Sequence, residues 1–364
     1  MTHDTRWAAV AAALLLAGAG GCGAEVVVED RGPALTPTGT LAHSPNWSPD
    51  GTEIYFFGAA NGTTSFGPSL NAVSMTGNVR IVDEGKEQYS SLAVSPDGTV
   101  YYAAGPERDL FSTAAAEPLP IALGPHTDVV AISPEGGRIA YFGDTDPIGP
   151  FGQLKLLSLA DGGVMTLSDV QPGANSVEFD NDRVLAFSPA GDRLFYLADL
   201  SDGSAFGGSG LVFDLATGAA TTKTWDLGYN PLVHWGAGGL RLAAVPPDAS
   251  YEILNLDTAE LVSLPAAPLP EPLTDVWSPD GSRIAYWTTS CLDSCGLFCC
   301  SVDRIQRQLV VADVTTGQVR RIAAAGDLTI PNGLGSIYGG ISFSPDGTRI
   351  AYGIEGRIHV RDVP

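Results

Sequence analysis

Acid-base or metal chemistry in this chain would run through His43, His126 and His234, with Asp128, Asp275 and Tyr338 at comparable places along the sequence. His43 and His126 stand five and seven residues ahead of a serine in a recurring phrase, and His234 lies two residues ahead of the glycine that replaces that serine in the phrase's most divergent copy. Imidazoles and carboxylates exchange protons in the range where enzymes work, and several converging on one point would hold a metal or form an acid-base pair. The five histidines, at 3, 43, 126, 234 and 359, include no pair at metal-ligand spacing. Nor is there a Gly-x-Ser-x-Gly elbow, a phosphate loop or a dinucleotide fingerprint. The residue types therefore predict no cofactor and no metal, and leave only the question of whether the fold gathers these polar groups.

The phrase that spaces them is Trp47-Ser48-Pro49-Asp50-Gly51, repeated with an apolar residue in front at Ser95, Ser133, Ser188, Ser278 and Ser344. A seventh, degenerate copy is Trp235-Gly236-Ala237-Gly238-Gly239, aligned by the Leu240-Arg241-Leu242-Ala243 run that follows it. Spacings of 47, 38, 55, 48, 42 and 66 residues between the copies are those of a propeller or solenoid. Within each copy Pro presets the first turn angle, Asp or Glu caps the turn, and Gly takes the positive φ that closes it, so the phrase joins two strands of a hairpin. A second turn signal follows about 30 residues later, as Thr76-Gly77, Asp161-Gly162, Thr217-Gly218 and Thr316-Gly317. Four short antiparallel strands per repeat with no helical periodicity predict an all-β, seven-bladed propeller of four-stranded blades. Only three strands fit after Phe343, so the chain before His43, with Val26-Val27-Val28 and Ala34-Leu35-Thr36, is expected to supply the closing strand.

This grammar resembles the TolB-type propeller family, whose repeat reads apolar-Ser-Pro-Asp-Gly, then Ile-Ala-Tyr, then a third strand ending in Asp-x-x-Thr-Gly. The resemblance covers about residues 30 to 364 and is specific for fold. It implies an envelope scaffold, although the family's separate N-terminal α/β domain has no counterpart here. Related propellers also precede catalytic domains of prolyl-oligopeptidase type, and none follows this one.

Composition sets the compartment and the partners. Nineteen basic against 41 acidic residues give a formal charge of −22, which repels phosphate backbones and excludes nucleic acid. Residues 1–21 read as a signal peptide: Arg6, an apolar run from Trp7 to Ala17 too short to span a bilayer, then small residues. Cys22 follows, and Ala19-Gly20-Gly21-Cys22 resembles the lipobox of bacterial lipoproteins, which implies lipidation at Cys22 and membrane contact only through that anchor. Residues 22–42 are then tether and closing strand, and 43–364 the propeller, in an exported, lipid-anchored protein of the bacterial envelope. The other cysteines, Cys291, Cys295, Cys299 and Cys300, fall in a ten-residue insertion of the sixth repeat and predict two disulfides, with neighbouring Cys299 and Cys300 not joined to each other. A zinc site is the alternative there.

The connections opposite the tight turns are the long ones, and they carry Phe66, Phe151, Phe206 and Phe298. Loops on a rigid scaffold commonly bind ligands, and exposed aromatics anchor interfaces. The reading that follows is a monomeric, non-enzymatic scaffold gripping an envelope protein, peptide or glycan on that face. The alternative is a propeller enzyme, a glycan lyase or hydrolase, with its site at the channel mouth where His43, His126, Asp128, His234, Asp275 and Tyr338 would meet.

Overall fold

A computed structural model describes residues 30–59, 69–86, 89–106, 109–114, 119–121, 128–143, 153–168, 185–200, 207–226, 229–245, 251–264, 275–291, 305–325 and 340–363. Among these residues all regular structure is strand. Blade 1 is β1 (Leu41–Trp47), β2 (Glu53–Ala59), β3 (Ser69–Ser74) and β4 (Val79–Glu84), and blade 2 is β5 (Ser90–Val94), β6 (Val100–Ala104), β7 (Asp109–Ser112) and β8 (Leu119–Ile121). Blade 3 is β9 (Asp128–Ile132), β10 (Arg138–Gly143), β11 (Gln153–Ser158) and β12 (Val164–Ser168); blade 4 is β13 (Leu185–Phe187), β14 (Arg193–Leu200), β15 (Gly207–Asp214) and β16 (Ala220–Asp226). Blade 5 is β17 (Tyr229–Gly236), β18 (Gly239–Val245), β19 (Glu252–Asn255) and β20 (Leu261–Ser263); blade 6 is β21 (Val276–Trp277), β22 (Arg283–Cys291), β23 (Ile305–Asp313) and β24 (Val319–Ala325). Blade 7 has β25 (Ile341–Phe343), β26 (Arg349–Ile354) and β27 (Arg357–Asp362). Every sheet is an antiparallel meander in chain order. The first strands form the inner ring, with β1 against β5, β5 against β9, β9 against β13, β13 against β17, β21 against β25 and β25 back against β1. The fold is an all-β, seven-bladed propeller.

The repeat serine is what makes each hairpin tight. Ser278 Oγ donates to Asp280 at 2.7 Å and accepts from the backbone N–H of Arg283 at 2.9 Å, and Ser344 repeats both bonds with Asp346 and Arg349. The turn glycine N–H then closes on the serine carbonyl, as Gly281 on Ser278 at 2.8 Å. These serines are buried, as are Trp47, Phe187, Trp277 and Phe343 just ahead of four of them, so the hairpin ends are anchored in the interior.

The residue five after the serine is often arginine, and its side chain crosses to the next blade. Arg138 donates to the Gly191 carbonyl at 2.8 Å, Arg241 to Gly281 at 3.1 Å, Arg283 to Gly347 at 2.8 Å and Arg349 to Gly51 at 3.0 Å. The last of these joins blade 7 to blade 1. The guanidinium of Arg349 also lies 4.7 Å from the Trp47 ring, and Arg193 sits over Trp235 at 4.9 Å. Deeper in each seam aromatic residues of second strands interlock, as Phe142 with Tyr196 at 5.4 Å and Trp287 with Tyr352 at 6.0 Å.

The N-terminal segment closes blade 7, though as a clasp rather than a full strand. Leu35 N–H bonds the Ile358 carbonyl at 2.8 Å, Ile358 N–H bonds Thr36 Oγ1 at 3.0 Å, and Ala34 bridges His359. Asp30 reaches further and pairs with Ala324 at the edge of blade 6. The sixth-repeat insertion is shorter than a free loop from Ser290 to Gln308, because β22 and β23 continue as a ladder to the Cys291–Ile305 pair. Cys22, Cys295, Cys299 and Cys300 lie outside the described residues.

Two tests address closure. Arg349→Ala removes a charge-assisted hydrogen bond and a ring contact, and lowers stability by about 1–2 kcal/mol in denaturant unfolding. Arg80→Ala, which breaks the exposed pair with Glu53 and a looser contact 5.9 Å over the Tyr55 ring, changes it by less than about 0.5 kcal/mol. Deleting residues 24–38 lowers the melting temperature of the whole domain; an unchanged melting temperature contradicts closure through the N-terminus.

Candidate functional site

The inner strands are irregular at one height. In β1 the pairing with β2 shifts between His43 and Asn46, and in β5 the pairing with β6 shifts between Ser90 and Leu92. The residues at these bulges, Ser44 (φ 54°) and Ser91 (φ 47°), are left-handed without being glycine, a conformation that costs an L-residue about 1 kcal/mol or more. A third shift in β9 leaves Asp128 opposite Phe142, and a fourth falls between Tyr229 and Leu232 of β17. Bulges re-aim side chains and gather near binding sites. Here they sit where the inner strands start, on the face bearing the connections between second and third strands and between blades.

His43, Ser90 and Asp128 occupy equivalent registers in three consecutive blades, opposite Phe57, Ala103 and Phe142. The His43 ring lies 5.8 Å from Phe57, and its Nδ1 is 3.1 Å from Ser44 Oγ. Burial pushes the imidazole below its usual range, so it is neutral at neutral pH. Asn46 Nδ2 donates to the Ser44 carbonyl at 3.3 Å and braces the bulge. Behind His43 a file of rings fills the seam between blades 1 and 2: Phe57 to Tyr89 at 5.8 Å, Tyr89 stacked on Tyr102 at 5.8 Å, and Tyr102 on Phe111 at 5.5 Å. Asp83 ends that file, accepting from Tyr89 Oη at 2.8 Å and from Lys86 Nζ at 2.5 and 2.6 Å. Across the ring, Asp275 precedes β21 and accepts from Tyr251 Oη at 3.0 Å, and the Tyr251 ring packs 4.5 Å from Tyr286.

The sequence-derived candidates thus divide. His43, Asp128 and Asp275 lie at the loop-face ends of inner strands. His234 does not: it stands two residues before Gly236, against three more for the register of His43, which puts it about 10 Å nearer the turn face. There it stacks on Trp277 at 5.1 Å. His126, Tyr338, Phe66, Phe151, Phe206 and Phe298 lie outside the described residues. Sequence reasoning missed the bulges and the Asp83–Lys86–Tyr89 group. No glycine marks Ser44 or Ser91, and only the doubled Ser90-Ser91 and the polar run His43-Ser44 hint at them. His359, buried under the N-terminal clasp with Nδ1 3.1 Å from the Gly32 carbonyl, is structural.

No protein-family model matches the chain, and no curated protein matches it in sequence. Among solved structures it is similar to an oligogalacturonate lyase in complex with manganese, at 15% identity over 93% of this chain and 96% of that one, with a TM-score of 0.66. An oligogalacturonate lyase from Vibrio parahaemolyticus shares 14% identity over 91% and 93% of the two chains, with a TM-score of 0.63. The beta-propeller domain of Cps50 (Swd1) from Myceliophteria thermophila shares 14% over 93% and 100%, at 0.58. At these identities the likeness is one of fold.

The likeness nevertheless corrects the expectation of a non-enzymatic scaffold. That expectation rested on the lack of a catalytic motif, on the long loops gathered on one face and on the expectation that a separate domain would carry catalysis, yet both lyases are spanned almost end to end by this one propeller, so the fold needs no second domain to carry a catalytic site. The manganese of the first lyase finds no match among the described residues, where no three His, Cys, Asp or Glu side chains gather to hold a metal ion.

Strain at the bulges generates a stability prediction. Ser44→Gly and Ser91→Gly each relieve a left-handed residue and raise stability by about 0.5–1 kcal/mol in thermal unfolding. A loss of stability in both variants contradicts the strained conformation.

Proposed function

We propose that the protein is a glycan-acting enzyme, a lyase or hydrolase, working at the loop-face mouth of the propeller channel. The observation that carries this reading is His43, a neutral, half-buried imidazole set beside a strained left-handed serine at the mouth, in register with Asp128 two blades away. Strain kept in a stable fold points to function, because selection for stability alone removes it. The fold likeness to two lyases supports the class of substrate.

A neutral imidazole can accept a proton, the first need of elimination at a sugar ring or of activating a water for hydrolysis. Desolvation lowers its pKa from the ordinary histidine value, which favours the neutral base form. Asp128 and Asp275 are the carboxylates at the same mouth that would complete an acid-base pair. Phe57 backs the imidazole on its inner side, and Ser44 Oγ at Nδ1 fixes the orientation of the ring. The same reading takes residues 1–21 as an export signal and Cys22 as the lipid-bearing N-terminus of an envelope protein that meets its glycan outside the cytoplasm.

The test is turnover by the purified protein on oligogalacturonates and on neutral oligosaccharides. Absorbance of the unsaturated product reports elimination and new reducing ends report hydrolysis. Activity on one class is expected, with His43→Ala lowering kcat about 100-fold and leaving KM little changed. Absence of turnover on every glycan, or full activity of His43→Ala, removes the reading.

A further inference from the structure

His234 is the one titratable side chain at its level of the inner ring. The corresponding residues, two before the repeat position, are Asn46, Ala93, Ala131, Ala186, Val276 and Ser342 in the other six blades. Its ring lies in the seam between blades 5 and 6, stacked on Trp277 at an interplanar angle of 27°. Nε2 is buried and has no hydrogen-bond partner. The backbones of Gly236 and Gly281 press against that nitrogen, since a Cβ on either would collide with it.

This accounts for the divergence of the fifth repeat. The position that holds serine elsewhere is Gly236, and a serine there would drive its Cβ into His234 Nε2 at 2.5 Å. Gly238 likewise leaves room for the guanidinium of Arg241, which crosses the seam to the Gly281 carbonyl. Glycine has replaced the repeat's own hydrogen-bonding residue to admit a histidine.

We propose that His234 makes the seam between blades 5 and 6 an acid-sensitive joint, closed when the imidazole is neutral and loosened when it takes a proton. A proton on Nε2 would meet only glycine backbone, with no acceptor within bonding distance, and burying such a charge unpaired is costly. The charged groups facing the ring pull in opposite directions. Arg241, from β18, repels an imidazolium, while Asp280, from the turn after β21, attracts it. Asp280 is already committed, to Ser278 Oγ at 2.7 Å and to Ser282 N–H at 3.1 Å. Arg193 lies on the other side of β17, over Trp235. To be solvated, the protonated ring has to leave Trp277 and the glycine cradle, and that exit withdraws the support beside the Arg241–Gly281 bond.

The titration agrees in sign. Burial, and secondarily Arg241, push the imidazole down to about 4, against 6.5 for the ordinary side chain. A group with a depressed folded pKa of this kind stabilises the fold fully above the unfolded value, and the contribution drains away as pH falls from about 6.5 towards 4. Asp280, whose burial is outweighed by hydrogen bonds from Ser278 and Ser282 so that its carboxyl stays near 2, remains charged through that window.

The experiment is hydrogen exchange on the full chain at neutral pH and near pH 4.5, corrected for intrinsic rates. Expected is at least a tenfold loss of protection in residues 232–243 and 276–285 on acidification, with the seam between blades 6 and 7 keeping its protection. His234→Phe, which keeps the stack on Trp277 and cannot titrate, should hold protection at both pH values. The proposal is overturned if the seam keeps its protection in acid, or if His234→Phe loosens as the wild type does. Should the variant fail to fold, ring-proton NMR of the wild type decides: an His234 midpoint near that of the exchange change supports the joint, and a midpoint in the ordinary histidine range overturns it.

Discussion

A guanidinium resting on a neighbouring glycine carbonyl is the contact on which the ring depends. A propeller blade has two faces to bury, and each can be buried only against the next blade, so the circle holds only if every seam holds. The apolar seams supply the mass of the stabilisation, but they have little directional preference along the strands. Arg138, Arg241, Arg283 and Arg349 add that direction, because each bond is satisfied only when the turn of the next blade lies at the level of the arginine's own second strand. With Arg349 bound to Gly51, the level set in blade 7 is the level set in blade 1. Blades 1, 2 and 4 depart from this scheme. Glu53 and Val100 stand in the arginine's place in blades 1 and 2, whose shared seam is filled by the ring file from Phe57 to Phe111, and Arg193 of blade 4 lies over the Trp235 ring.

Rigidity at the turn face permits irregularity at the other. Because the hairpin turns are fixed by Ser, Asp and Gly, the opposite ends of β1, β5 and β9 can accept an extra residue without losing register at the turn end. The residue before the irregularity is His43 in blade 1, Ser90 in blade 2 and Asp128 in blade 3. In the sequence the corresponding residue is Arg183 in the fourth repeat, Pro231 in the fifth, Leu273 in the sixth and Gly339 in the seventh.

The fold was legible because the repeat encodes it redundantly: the same turn chemistry occurs in six copies and the seventh is betrayed by the Leu-Arg-Leu-Ala run after it. What escaped was set by contacts between repeats. The role of Arg349 cannot be read from its own repeat, since its acceptor is almost 300 residues away at Gly51. The turn between β19 and β20 was invisible for a different reason: Ala259 takes the left-handed angle (φ 58°) that glycine takes in other blades, held by Asn255, whose Oδ1 accepts the N–H groups of Asp257 and Thr258. At the site, His43 and Asp275 were found as residue types, but their height in the ring was not, because height depends on where each bulge falls. His234 was grouped with them for the same reason, and the glycines of its divergent repeat were the overlooked sign that it packs elsewhere.

The N-terminal clasp has a mechanical consequence. Asp30 is bonded through both backbone groups to Ala324 on blade 6 and through its side chain to Arg361 on blade 7, while residues 34–36 hold β27. Tension applied from the N-terminal side is met first by the Asp30 attachment, which divides the load between two blades. Behind it stand the Arg31–Glu355 ion pair and the Arg357 bonds to the Thr36 carbonyl. Such a series of small attachments yields stepwise, each release lengthening the leash before force reaches β26 and the interior. The propeller is thereby insulated from pulls on its leading segment, and its channel mouth keeps its geometry while the clasp gives way.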